Sequence, residues 1–191
     1  MSRPRRVLAS ILVVGCVGLV AGAGTFAAFS ATSANSGNTF AAGTVAISDN
    51  DAGSSMYSVT NRIPGNSVAT CIRVTYSGSL AANVKLYSLS SVDTVDQYLN
   101  LTVEKGSMPT GTTFPNCTGF SSESTIFSGT VNGLKTSNGS YATGIAANPG
   151  AQTGWNQSDT LVYRFTVTLQ NSLAAQGLTS TTAFTWEARN Q

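Results

Sequence analysis

No histidine occurs anywhere in the 191 residues of this chain. That absence removes the side chain that changes charge near neutral pH, and with it the usual general base and the commonest transition-metal ligand. No Ser-His-Asp or Cys-His arrangement can be assembled, and no His-Glu-x-x-His zinc site. Charge is scarce as well. Asp, Glu, Lys and Arg make up 9% of the sequence, against about a quarter in ordinary soluble domains. Ser, Thr, Asn and Gly supply the polar surface instead, which suits a secreted β-rich protein and not an enzyme clothed in charged helices. No glycine-rich stretch has the spacing of a nucleotide-phosphate loop, and no repeat of solenoid period is present. The net charge of +2 owes much to Arg3, Arg5 and Arg6. Without the first 27 residues, seven basic residues face eight acidic ones. No basic excess remains to attract nucleic acid.

What is present begins with an export-like N-terminus. MSRPRR is a positive leader and VLASILVVGCVGLVAGAG an apolar run followed by small residues, so residues 1–27 read as a signal peptide. Thr25 and Ala27 suit the third and first positions before a cut, which predicts cleavage between Ala27 and Ala28. The expected destination is extracellular or the cell surface, with a signal peptidase as partner during export and no membrane attachment afterwards. Two alternatives stand beside this. The apolar run is about long enough to remain as an anchor, and Val13-Val14-Gly15-Cys16 loosely resembles a lipidation site. Removing the signal leaves two cysteines, Cys71 and Cys117. Outside the cytoplasm they most simply form a disulfide; two unpaired thiols are the other reading.

Beyond the signal the pattern is that of strands. Leu161, Tyr163, Phe165, Val167 and Leu169 alternate with Arg164, Thr166 and Thr168. Val68, Ile72, Val74 and Tyr76 alternate with Arg73 and Thr75, Leu99–Val103 with polar partners, and Phe184, Trp186 and Ala188 with Thr185, Glu187 and Arg189. Period two with one apolar face predicts strands half buried in packed antiparallel sheets. Shorter candidates are Val45–Ile47, Met56–Val59, Val84–Leu89 and Ile126–Val131. Val92–Tyr98 and Ser172–Gln176 suit single helical turns. Residues 106–124, rich in Gly, Pro, Ser and Thr, read as a surface loop. Parity puts Cys71 on the wet face of its strand, so a bridge to Cys117 pins that loop across the outside of a sheet. The expected fold is all-β, a jelly-roll-like β-sandwich with few short helical turns.

Candidate chemistry is thin. Asp49-Asn50-Asp51 could offer oxygens to calcium but lacks a downstream acidic partner, so a solvated turn is the simpler reading. Asp93 and Asp96 could form a carboxylate pair for sugar hydrolysis or cap a helical turn. Tyr57, Tyr141 and Trp155 could line a carbohydrate face or be packed singly. Asn100, Asn116, Asn138 and Asn156 lie in N-x-S/T sequons. No catalytic, cofactor-binding or metal residue is assigned, and no cofactor is expected.

GTFAAFSATSANSGNTFAAGTV, residues 24–45, resembles the start of the TasA/camelysin family, secreted bacterial proteins whose signal is cut by a SipW-type peptidase. The likeness continues at Ile63-Pro64-Gly65-Asn66, at Ser77–Ala81 and at Ala183–Ala188. It implies a jelly-roll-like sandwich and, from the fibre-building members, extracellular biofilm-matrix fibres joined by donor-strand exchange. Other members are classed as metalloproteases, a reading that the missing histidine opposes. The implied layout is a signal at 1–27, an N-terminal arm at 28–42 and one sandwich at 43–191. Within the arm the expected donor strand is Ala28, Phe29, Ser30, Ala31, Thr32, Ser33, Ala34 and Asn35. Phe29, Ala31 and Ser33 share a face when it is extended. The expected partner is a second copy of the chain, added head to tail. A monomeric adhesion or accessory module is the alternative, and a metal-dependent hydrolase a more distant one.

Overall fold

The structure, a computed structural model, describes residues 43–57 and 63–191. The expectations on the export signal, the Ala27–Ala28 cut and the donor strand therefore lie outside the described residues, as does half of the candidate strand at Met56–Val59, namely Ser58 and Val59.

The alternating runs become strands and their apolar faces become one core. The strands are β1 (Ile47–Asp49), β2 (Ser67–Tyr76), β3 (Ala82–Tyr87), β4 (Leu99–Ser107), β5 (Ser121–Thr130), β6 (Ile145–Ala146), β7 (Thr160–Leu169) and β8 (Thr185–Asn190). One sheet has the order β1-β2-β7-β4-β5 and the other β6-β3-β8; all pairs are antiparallel. Ile72, Val74 and Tyr76 from β2, Leu101 and Val103 from β4, and Tyr163 and Phe165 from β7 meet Val84 and Leu86 from β3 in the buried centre. Phe184 and Trp186 close it, with Phe165 and Phe184 ring centres 4.5 Å apart and Tyr163 and Trp186 5.4 Å apart. Burial of these side chains is the main source of stability, at about 1.5–3 kcal/mol for each large apolar group. Burial pushes the Tyr163 phenol well above its ordinary range.

The pairings follow those of a long hairpin rolled into a sandwich, in which strands 2 and 7, 3 and 6, and 4 and 5 are neighbours. All three pairs are present, and β3–β8 and β4–β7 close the roll. The remaining hairpin pair, first with eighth, is replaced: β1 pairs with β2, Ile47 opposite Tyr76. The turn after β2 holds the incoming chain. The Thr44 amide donates to Ser79 Oγ at 2.9 Å, the Ser79 amide donates to the Thr44 carbonyl at 2.9 Å, and the Tyr76 hydroxyl donates to the Leu80 carbonyl. Gly78 permits this crossing, since a Cβ there would lie 2.6 Å from the Thr44 carbonyl oxygen and press against the Tyr76 hydroxyl.

Two expectations about local structure are corrected. The run Ile126–Val131 is strand only to Thr130; Val131–Ser137 forms an α-helix, α1. The Thr130 side chain accepts from the Gly133 amide at 3.0 Å and so caps it, while Val131 and Leu134, three residues apart, enter the core. Residues 106–124 are not all loop. Gly106 and Ser107 end β4, and Ser121–Ser124 begin β5 as a polar edge strand with both faces wet. The expected helical turns are one-turn 3-10 helices at Thr94–Tyr98 and Leu173–Ala175.

Candidate functional site

The acidic residues singled out for chemistry are committed to structure. Asp96 is fully buried, and its Oδ2 lies 2.9 Å from Lys135 Nζ, also fully buried. The same oxygen accepts from the Asp93 amide at 2.6 Å, and Oδ1 accepts from the Ser180 hydroxyl. Asp93 Oδ2 accepts from the Thr181 amide at 2.6 Å and stands 3.7 Å from Lys135 Nζ. Lys135 also donates to the Ser91 and Thr181 carbonyls, each at 2.8 Å. The pair therefore caps a helical turn and ties three segments together. No carboxyl here is left to protonate a glycosidic oxygen. Sequence reasoning missed Lys135. Its only signal was a lone cation beside Leu134 in a helix otherwise without charge.

The Asp49–Asp51 stretch is a turn of the same self-satisfied kind. Asp49 accepts from the Asp51 amide, Asp51 from the Gly53 amide, and Asn50 Oδ1 from the Arg73 amide at 2.7 Å. Partial burial raises the Asp49 carboxyl above its ordinary value. The three aromatic candidates share no face. Trp155 is fully buried, with its indole N–H donating to the Ala147 carbonyl at 2.8 Å. Tyr57 is part-buried and donates to the Phe165 carbonyl at 2.7 Å. Tyr141 lies beneath Arg189, whose guanidinium is 3.9 Å from the ring centre.

On the outside of the larger sheet, Cys71 and Cys117 are joined in a disulfide, with Cα atoms 5.1 Å apart. Cys71 does lie on the outer face, beside Val162 and away from the central core, but it is fully buried because residues 108–120 fold over it. Met108 and Phe120 pack on the bridge. Arg73 donates to the Met108, Pro109 and Thr110 carbonyls at 2.7–3.1 Å. Arg164, paired with Glu104 at 2.6 Å, lies 4.6 Å from the centre of the Phe120 ring. A cleft of about 160 Å³ runs beside this loop past Arg73 and Glu123. It is smaller than the roughly 300 Å³ where small-molecule sites begin, and its charged walls are already engaged, Glu123 with Lys105 at 3.7 Å.

Residues 5–104, more than half of the chain, match the family described as camelysin metallo-endopeptidase. The chain belongs to the TasA/camelysin family. No curated protein matches it. The family's description implies a metal, and the donor set of this camelysin-family chain does not fit one. It has no histidine, its two cysteines outside the N-terminal segment are joined to each other, and among the described residues no three His, Cys, Asp or Glu side chains converge.

What the fold does offer is sheet edge. Among the described residues, β1, β5, β6 and β8 each have a strand on one side only. β1 and β6 are three and two residues long. β5 is long but carries two register shifts against β4. β8 has six residues in continuous register with β3.

Proposed function

We propose that this protein is a secreted structural subunit that polymerises into extracellular matrix fibres through its N-terminal arm. After processing between Ala27 and Ala28, the segment Ala28–Asn35 of one copy adds to a sheet of the next as a donor strand. The observation that supports this reading is the unequal sandwich of the described residues, three strands facing five, with their chemistry-bearing side chains turned to internal bonds. A scaffold of this kind recognises by backbone pairing and shape.

The energetics are balanced finely enough to need a built acceptor. Each backbone hydrogen bond contributes about 0.5–1.5 kcal/mol net, and burying Phe29 about 1.5–3 kcal/mol. Ordering eight residues costs roughly 1–2 kcal/mol each. A slip of one residue turns Phe29 outward, so register matters, and head-to-tail addition that does not close produces filaments. Deleting Ala28–Asn35 while keeping a working signal tests the reading by electron microscopy of the secreted protein. Wild type forms filaments and the deletion yields dispersed single subunits. Filaments of equal abundance without those residues refute the donor role. A wild-type protein that light scattering finds monomeric at high concentration favours the adhesion-module alternative.

A further inference from the structure

Of the three lysines in the chain, Lys135 is the one that shares a water-free site with a carboxylate. Its side chain and that of Asp96 are both wholly shielded, with Nζ and Oδ2 2.9 Å apart. Lys105 and Glu123 meet at 3.7 Å on a partly wet surface, and Lys85 donates to the Ala142 carbonyl. We propose that Lys135 and Asp96 condense to an intramolecular amide, with Asp93 carrying the protons. The inference is independent of the assembly reading above.

Three features of the site favour the step. Withdrawing two charges from water is costly, and their mutual attraction offsets that cost only in part; condensation removes both charges. Contact through Oδ2 holds the nitrogen against the carboxyl group, and groups held in reacting geometry behave as if at effective molarities of about 10⁵–10⁸ M. The Asp96 carboxyl also has a donor on each oxygen, the Asp93 amide on Oδ2 at 2.6 Å and the Ser180 hydroxyl on Oδ1. Donors already aimed at an oxygen stabilise the negative charge that builds there when a nucleophile adds.

The ion pair is the state from which the reaction starts. Asp93 Oδ2 stands 3.7 Å from Nζ. It takes one proton from the ammonium and passes it to Asp96 Oδ2, leaving an amine beside a carboxylic acid. The Nζ–Cγ bond forms, and negative charge collects on Oδ1 against the Ser180 hydroxyl. Asp93 carries a second proton from Nζ to Oδ2, the Cγ–Oδ2 bond breaks, and Oδ2 departs as water. Asp93 begins and ends as a carboxylate, and no oxidant or other reactant is consumed. The Asp93 side chain is one-third exposed, which gives the water a way out. The product closes a second covalent ring, 39 residues apart in sequence, that holds β4 and β5 and overlaps the ring closed by Cys71 and Cys117.

Mass spectrometry of the purified full chain, reduced and digested with trypsin, is the test. Expected is a branched peptide one water lighter than its parts, residues 86–105 joined through Asp96 to residues 106–164 left uncut at Lys135. Linear peptides ending at Lys135 with no branched species overturn the proposal, and so does a branch that maps to Lys85 or Lys105. Lys135→Arg keeps the cation but not the nucleophile, and residues 86–105 should return at full mass; a water lost equally in that variant overturns the assignment. Asp93→Asn keeps an oxygen for the Thr181 amide and removes the proton carrier. In that variant the branched fraction of freshly purified protein should build about 100-fold more slowly at unchanged circular dichroism, and equal rates overturn the role of Asp93.

Discussion

Replacing Lys135 by methionine is the sharpest test of how the β8 end of the sandwich is held. The ammonium has three partners within 2.9 Å, the Asp96 carboxylate and the Ser91 and Thr181 carbonyls. The Lys135 and Asp96 side chains are wholly shielded from water. Methionine keeps the stem's apolar contacts but leaves a buried carboxylate facing Asp93 without a cation. Breaking a buried pair from one side costs about 3–5 kcal/mol. For a domain of this size each kcal/mol moves the melting midpoint by about 2–4 °C, so a fall of roughly 6–20 °C is expected. Urea unfolding of Lys135→Met, Asp96→Asn and the double variant measures it. The double variant should lose less than the sum of the singles by about 2 kcal/mol, the signature of direct coupling. A loss below about 1 kcal/mol for Lys135→Met, the level of an exposed ion pair, refutes the reasoning.

Three further outcomes are expected. Replacing both cysteines by serine opens a loop with a sequence separation of 46, for which chain entropy gives about 4 kcal/mol; limited proteolysis should then cut first within residues 108–120. The hydrogen bond from Tyr87, and then that from Arg189, hold the Glu187 carboxyl below its ordinary 4.5. A lowered folded-state value contributes stability above the unfolded value that is lost as pH falls through the folded one, so Glu187→Gln should flatten the acid side of a Tm-against-pH curve below about pH 4.5; an unchanged slope counts against the pairing. Gly78→Ala forces a Cβ against the Thr44 carbonyl and should cost about 1–3 kcal/mol as a close backbone contact is strained, visible as early amide exchange at Thr44–Ile47.

The strands most legible in the sequence are those whose two faces differ most. β7 buries Tyr163 and Phe165 while Arg164 and Thr166 stay partly wet, and alternation alone finds such a strand. The first half of β5 escapes because it is an edge: Ser121–Thr125 are exposed on both faces, so no alternation survives to be read there. Helix α1 escapes because Asn132, Gly133 and Thr136 are weak helix formers. It forms because Thr130 caps it and because Val131 and Leu134 have a core to enter. The cysteine bridge was legible from the count of cysteines left beyond the N-terminal segment, and its outer-face position from strand parity. The burial of Lys135 was not, because its acceptors come from Ser91, Asp96 and Thr181, and no local pattern reports partners so distant in sequence. The order of the strands, with β1 beside β2, is likewise a property that periodicity does not encode.

The bridge between Cys71 and Cys117 closes a covalent ring that contains β3, from the three-stranded sheet, and β4, from the five-stranded one. A protease that nicks the backbone anywhere inside that ring releases nothing, because both cut ends stay tethered through sulfur. The sandwich can be scarred there and remain one molecule.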